Sequence, residues 1–257
     1  MDKALLVVSF GTSYAGTRER TIGAIERKLA ERFPDRAVRR AWTSSFLIKK
    51  VAKTEGLVVD TPEEALEELA AEGVKDLIVQ PTHLSDGYEN QRLMEIVRSF
   101  AGRIDRISVG RPLLDTENDR SAVARLLPQL CLSDKSDEAL LLMGHGSDKH
   151  PVPVYEQLQE AFAKASDNVF VGTVEGTPSF EDAKTLLDQS GYNEVVLAPL
   201  MIVAGDHAVG DMAGEDDSWK SRLEADGYST DVIMAGLGEY EAIQEMFAEH
   251  AAQAETI

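Results

Sequence analysis

The sequence predicts an α/β fold of two similar lobes, each a parallel sheet flanked by helices, related by internal duplication, with a cleft between them. Three observations predict it. Short apolar runs alternate with amphipathic helical patterns, the signature of parallel strands covered on both faces. The same words of glycine, proline and apolar residues occur in both halves. Several apolar runs close on polar or glycine residues, where open α/β sheets gather their ligands.

In the first half the expected strands are Ala4–Phe10, Ala37–Thr43, Asp76–His83 and Ile104–Gly110. Ile22, Ile25 and Leu29 mark one helix face between them, and Leu93, Ile96, Val97 and Phe100 mark another. Thr61-Pro62-Glu63-Glu64 is a helix start, with Thr61 as cap, Pro62 at the first position and Glu64 closing a capping box. The stretch from Ser44 to Lys53 is extra to the repeat, amphipathic and basic. A solvated helix face and a contact for an acidic ligand are its two readings.

The second half offers strands Glu138–His145, Asn168–Glu175, Glu194–Val203 and Asp231–Ala235, with Ile243, Met246 and Phe247 on a last helix face. Its Thr177-Pro178, its helix ending near Gly191 and its Pro199 repeat Thr61-Pro62, Gly73 and Pro81 at matching spacing. Leu5 to Thr12 mirrors the strand carrying His145, with Phe10 in the histidine's place. The expected lobes are residues 1–133 and 134–257, joined near the polar stretch 133–137.

Composition narrows the function. With 26 basic and 45 acidic side chains among 257 residues, the net charge of -19 argues against nucleic-acid binding. The single cysteine, Cys131, rules out an intrachain disulfide and a cysteine-based zinc site. The first expected strand starts almost at once, so no signal peptide is read. No apolar stretch is long enough to span a membrane. A soluble cytoplasmic protein is expected. There is no P-loop and no Gly-x-Ser-x-Gly elbow, and Gly236-Leu237-Gly238 lacks the rest of a dinucleotide fingerprint.

Chemistry is sought at the strand ends. Leu140-Leu141-Leu142-Met143-Gly144-His145-Gly146 is a buried strand opening into a glycine turn, and glycines beside His145 would let a ligand approach. Glu175 and His207 stand at the ends of the next two expected strands. Neutral imidazoles with a carboxylate suit divalent first-row metals, or acid–base catalysis without one. Asp206 or Asp211 would orient His207, Asp211 having a helix cap as its other reading. Trp219 is read as core or cleft wall. His83 is read as cleft-facing or as a satisfied structural histidine, and His150 and His250 as surface positions. In the first lobe Phe10 and Glu89 occupy the places matching His145 and His207.

Several segments resemble one family. They are Lys3 to Ser13, Met143 to Gly146, Pro199 to Ala208, Asp211 to Ala213, Ser218 to Lys220 and Gly236 to Glu239. Together they are similar to the anaerobic sirohydrochlorin cobalt chelatases of cobalamin biosynthesis, class II chelatases related to protoporphyrin ferrochelatase. The loop after His150 and the C-terminal tail match less well. The resemblance implies two α/β lobes with a tetrapyrrole in the cleft, and a metal held by His145, Glu175 and His207. It implies ATP-independent insertion of Co2+ or Fe2+ as a substrate metal, with no permanently bound cofactor. His145 would ligate the metal or accept a pyrrole proton, His207 would be a second ligand, and Glu175 a third ligand or proton carrier. Glu89 would help remove protons. Phe10, Gly11, Thr12 and Ser13, with His83, Gly144 and Gly146, would bound the macrocycle. The substrate's many carboxylates call for cations near the cleft, from among Lys49, Lys50, Lys53, Arg18 and Arg111.

Iron insertion toward sirohaem is the nearest alternative, because these ligands accept either metal. A non-catalytic tetrapyrrole or metal carrier is another. A solute-binding protein shares the two-lobed plan, but the histidine rim counts against it. The oligomeric state is not legible.

Overall fold

Strand β1 (Lys3–Ser9) is buried on both faces beyond its first residue, as an all-apolar strand under helices must be. The computed structural model describes residues 2–133 and 137–257. After β1 come α1 (Ala15–Arg20), α2 (Ile22–Arg32), β2 (Ala37–Trp42), α3 (Ser45–Glu55), α4 (Pro62–Ala71), β3 (Asp76–Pro81), α5 (Tyr88–Ser99) and β4 (Arg106–Val109). Then follow α6 (Glu117–Cys131), β5 (Glu138–Gly146), α7 (Val154–Ala165), β6 (Val169–Glu175), α8 (Phe180–Ser190) and β7 (Glu194–Pro199). A π-helical segment (Ala208–Met212), α9 (Trp219–Ala225), β8 (Ser229–Val232), a 3-10 turn (Leu237–Glu239), α10 (Glu241–Ala252) and β9 (Glu255–Thr256) complete the chain.

The chain divides into two compact units. One is Met1–Leu113 with Gly238–Ile257, and the other is Leu114–Leu237. The first holds a sheet of order β2-β1-β3-β4-β9, the second one of order β6-β5-β7-β8. All pairings are parallel except β4 with β9. Leaving β9 aside, the two orders are the same, as a duplicated unit requires. The registers agree too, since Val8 pairs with Pro81 and Met143 with Pro199. Phe10 and His145 therefore each stand two residues beyond equivalent positions.

The units do not divide at 133/134 as expected. Helix α6 packs on α7 and so joins the second unit. Helix α10 returns to pack on α2 and β3, and β9 adds to the edge of β4. Of the expected joining stretch, 134–136 lie outside the described residues.

Local sequence explains most of the element ends. Thr61 and Glu64 form the expected capping box on α4, with Pro62 in the first turn. The start of α8 falls two residues later than Thr177-Pro178, on a box formed by Ser179 and Asp182, and Gly191 in a left-handed conformation ends it. Strand β7 stops at Pro199 rather than running to Val203, because proline offers no N–H to continue a ladder. The extra basic stretch is α3, capped by Ser44, which accepts from the Leu47 amide. Its apolar side, Leu47, Ile48 and Val51, packs with Trp42 and Val59. The larger cores lie against the sheets. Leu6, Val8, Leu77, Leu93 and Val97 belong to the first, and Leu141, Met143, Phe180, Leu187 and Leu197 to the second.

Candidate active site

Strand β5 carries His145 out of the core: Met143 and Gly144 are buried and His145 is exposed. Its Nδ1 lies 2.8 Å from the carbonyl oxygen of Gly146. A carbonyl only accepts, so Nδ1 carries the hydrogen and Nε2 is the nitrogen left for a ligand or a proton.

His207 reaches the same place from beyond β7. It sits at the head of the π-helical segment, a distortion that recurs at functional sites. Its Nδ1 donates to Asp211 Oδ2 at 2.7 Å, which again makes Nε2 the nitrogen left for a ligand or a proton. Of the two aspartates proposed to orient this ring, Asp211 has the bond. Helix capping nearby falls to Ser218, at the start of α9. The imidazoles of His145 and His207 meet edge to face, centroids 4.7 Å apart and planes at 85°.

Glu175 ends β6, paired with Gly146 across the strands, and its side chain is exposed. Among the described residues, no group of three or more His, Cys, Asp or Glu side chains gathers closely enough to hold a metal ion. The pair of histidines is assembled, and Glu175 is its strand neighbour.

The glycines around His145 serve the protein's own packing. A Cβ at Gly144 would lie 2.3 Å from the ring of Tyr155, and one at Gly146 would lie 1.7 Å from the Glu175 carbonyl. Gly146 also has a φ of 72°. Gly205 and Gly210, flanking His207, have open space where a side chain would be.

In the first unit, Phe10 is 52% exposed at the end of β1. Gly11 has a φ of 101° and fits closely over Trp42. Thr12 is buried and accepts from the Tyr14 amide, and Ser13 is half-buried. His83, just past β3, is buried, so burial pushes its pKa below the usual imidazole value, against the Asn90 bond and the Glu89 charge. Asn90 Nδ2 donates to Asp86, which turns its Oδ1 toward His83 Nδ1 at 3.4 Å. His83 Nε2 is buried with no hydrogen-bond partner among the described residues. Glu89 lies in the first turn of α5 and lines a cavity of about 270 Å³ with Thr43, Ser45 and Arg92.

Other expectations change. Arg18 is held by Glu55 at 2.5 Å and by the Thr12 carbonyl, and Arg111 donates to Gln253. Of the lysines of α3, Lys49 and Lys53 are exposed and Lys50 is half-buried. His250 is buried rather than on the surface, because it lies on the face of α10 that packs inward, its Nδ1 donating to the Arg111 carbonyl. Trp219 is core, packed on Phe180. Tyr155 is the residue that sequence reading missed. Nothing in its own helix pattern sets it apart, and only the Gly-His-Gly spacing hints that a bulky neighbour fits there.

Comparison with known proteins places this geometry in context. A family described as cobalt chelatase (CbiK) matches residues 3–256. A sirohydrochlorin cobaltochelatase of Salmonella typhimurium is 41% identical over 255 residues, covering 99% of this chain and 97% of that protein. The sirohydrochlorin cobaltochelatase CbiKC of Nitratidesulfovibrio vulgaris is 35% identical over 257 residues, covering 96% and 89%. Among solved structures, SirB from Bacillus subtilis with Fe3+ superposes with a TM-score of 0.65 at 15% identity, covering 98% of this chain and 95% of that one. This last likeness is one of fold.

Proposed function

The chain belongs to the cobalt chelatase family, and we propose that it inserts Co2+ into sirohydrochlorin without ATP, as a step of cobalamin biosynthesis. The observation that carries the reading is the His145–His207 pair. Two imidazoles meet edge to face, and each has its Nδ1 hydrogen committed to the protein. Each ring is thereby turned to use Nε2 as ligand or base.

Metal insertion must strip water from the ion, bend the macrocycle and remove two pyrrole protons. His145 and His207 replace water on the arriving Co2+, and Glu175 swings from its exposed position to become the third ligand. A set of three leaves coordination positions for the pyrrole nitrogens. Its mixed imidazole and carboxylate donors hold the ion moderately, which suits a metal that must be passed on. Glu89 accepts pyrrole protons. Phe10 and the turn at Gly11, Thr12 and Ser13 bound the macrocycle. Co2+ is a substrate here, consumed with the tetrapyrrole in each turnover, and no resident cofactor is needed. Binding energy from the ring periphery offsets its distortion at the centre. We place the reaction in the cytoplasm, in keeping with the acidic composition and the single cysteine. Among the described residues, no helix is long and apolar enough to cross a membrane.

The test is an anaerobic assay of sirohydrochlorin with Co2+ or Fe2+, followed by absorbance, for the wild type and His145→Ala. Turnover with Co2+ that the variant loses supports the reading. Stoichiometric binding without turnover, or an unaffected variant, overturns it and makes the protein a carrier.

A further inference from the structure

His145 Nδ1 donates to the Gly146 carbonyl, so the aim of the ring depends on where that carbonyl points. Gly146 is a poor anchor by itself. It sits at a φ of 72°, and glycine has the widest conformational freedom of any residue. The anchor comes from α7. The Gly146 amide donates to the hydroxyl of Tyr155 at 3.3 Å. The tyrosine ring lies flush on Gly144, where any Cβ would strike it.

We infer that Tyr155 is a positioning residue for metal insertion: its hydroxyl holds the Gly146 amide, and with it the Gly146 carbonyl that fixes the tautomer and aim of His145. The inference rests on the proposed role of His145. Tyr155 is 7% exposed, and burying a phenol costs free energy unless its oxygen is bonded. Phenylalanine would fill the same space, so the hydroxyl needs a reason, and the Gly146 amide is that reason. The three glycine-turn residues and Tyr155 thus form one unit. Gly144 admits the ring, the hydroxyl holds the amide of Gly146, and the carbonyl of Gly146 holds the imidazole.

The experiment compares Tyr155→Phe with the wild type in the full-length protein. The variant keeps the ring and removes only the oxygen, so its fold is expected to persist, checked by circular dichroism. We expect kcat for Co2+ insertion to fall about three- to tenfold, the effect of one lost hydrogen bond, with KM for the tetrapyrrole unchanged. We also expect ¹⁵N shifts of His145 to report a mixture of tautomers in place of the Nδ1–H form. Gly144→Ala, which displaces the ring, should give the same tautomer mixture, and the two changes combined should cost little more than either alone. A Tyr155→Phe protein with wild-type kcat and a single His145 tautomer would overturn the inference. That result, alongside an inactive His145→Ala, would leave the proposed function standing. An active His145→Ala would instead remove the reading on which it rests.

Discussion

Asp211 Oδ2 accepts the Nδ1 hydrogen of His207 at 2.7 Å from four residues along the chain, within the π-helical segment. The bond fixes the orientation of the ring. It also puts a negative charge behind an imidazole proposed to bind a cation, which raises the ring's strength as a donor. Both partners are partly open to solvent, at 37% and 48% of the side chain, so the bond orients the ring more than it stabilises the fold.

Removing that carboxylate should weaken metal handling without unfolding the protein. Asp211→Ala is expected to lower kcat/KM for Co2+ on the order of tenfold or more, with a melting temperature close to wild type. Asp211→Asn keeps an acceptor oxygen and should lose less. Anaerobic cobalt titrations and turnover rates check both, and equal losses in the two variants would mean that charge, not orientation, is what His207 needs.

Two glycines near the histidines should respond in opposite ways. Gly146→Ala forces an L side chain into a left-handed φ and against the Glu175 carbonyl, so we expect a loss of several kcal/mol, or no folded protein. Gly205→Ala meets open space, and its stability should change by about 0.5 kcal/mol or less. If the macrocycle passes over Gly205, the same variant raises KM for sirohydrochlorin. Denaturant melts and steady-state kinetics on the two proteins separate these outcomes.

The contrast shows where sequence reading stops. Apolar periodicity exposed the strands and the duplication, because β1 and β5 are solvent-free runs with one meaning. The return of α10 and β9 to the first unit was hidden: a two-residue edge strand has no period, and the helix pattern of Ile243, Met246 and Phe247 does not say which sheet it covers. The histidines at strand ends were visible, since topology puts them there. Their orienting partners were less so. Asp211 was one of two candidates, and Tyr155 lies ten residues past His145 on another element. Glycines in a turn look alike on paper, and only coordinates separate Gly144, pressed by a ring, from Gly205, facing open space. Arg18 and Arg111 are candidates for the substrate's carboxylates on paper, and their local partners, Glu55 and Gln253, appear only in the fold.

His83 makes stability depend on pH. Desolvation holds its folded-state pKa below the unfolded value of about 6.5. Above that pH both states are neutral and the contribution is fully present. As pH falls through the unfolded pKa, the unfolded chain takes up a proton that the folded chain resists, and stability declines until the folded pKa is reached. The slope for one such group is at most about 1.4 kcal/mol per pH unit. Urea unfolding between about pH 7.5 and pH 5.5 should show a steeper fall for wild type than for His83→Gln. Parallel curves would mean that His83 is protonated within the fold.

The last helix should stabilise the first unit and not the second. Phe247 is fully buried on α10, whose neighbours are α2 and β3, and Lys28 of α2 reaches Glu241 and Glu245 of α10 with ion pairs at 3.0 and 3.5 Å. Those pairs are largely solvated and contribute little; the buried ring carries the contact. Phe247→Ala should therefore cost about 3–5 kcal/mol. Hydrogen exchange would locate the loss: amides of β1, β3 and α2 are expected to lose protection while those of β5 and β7 keep it. Equal loss in both sets would mean that the two sheets unfold as one cooperative body, and that the division at Leu113 and Gly238 is geometric without being energetic.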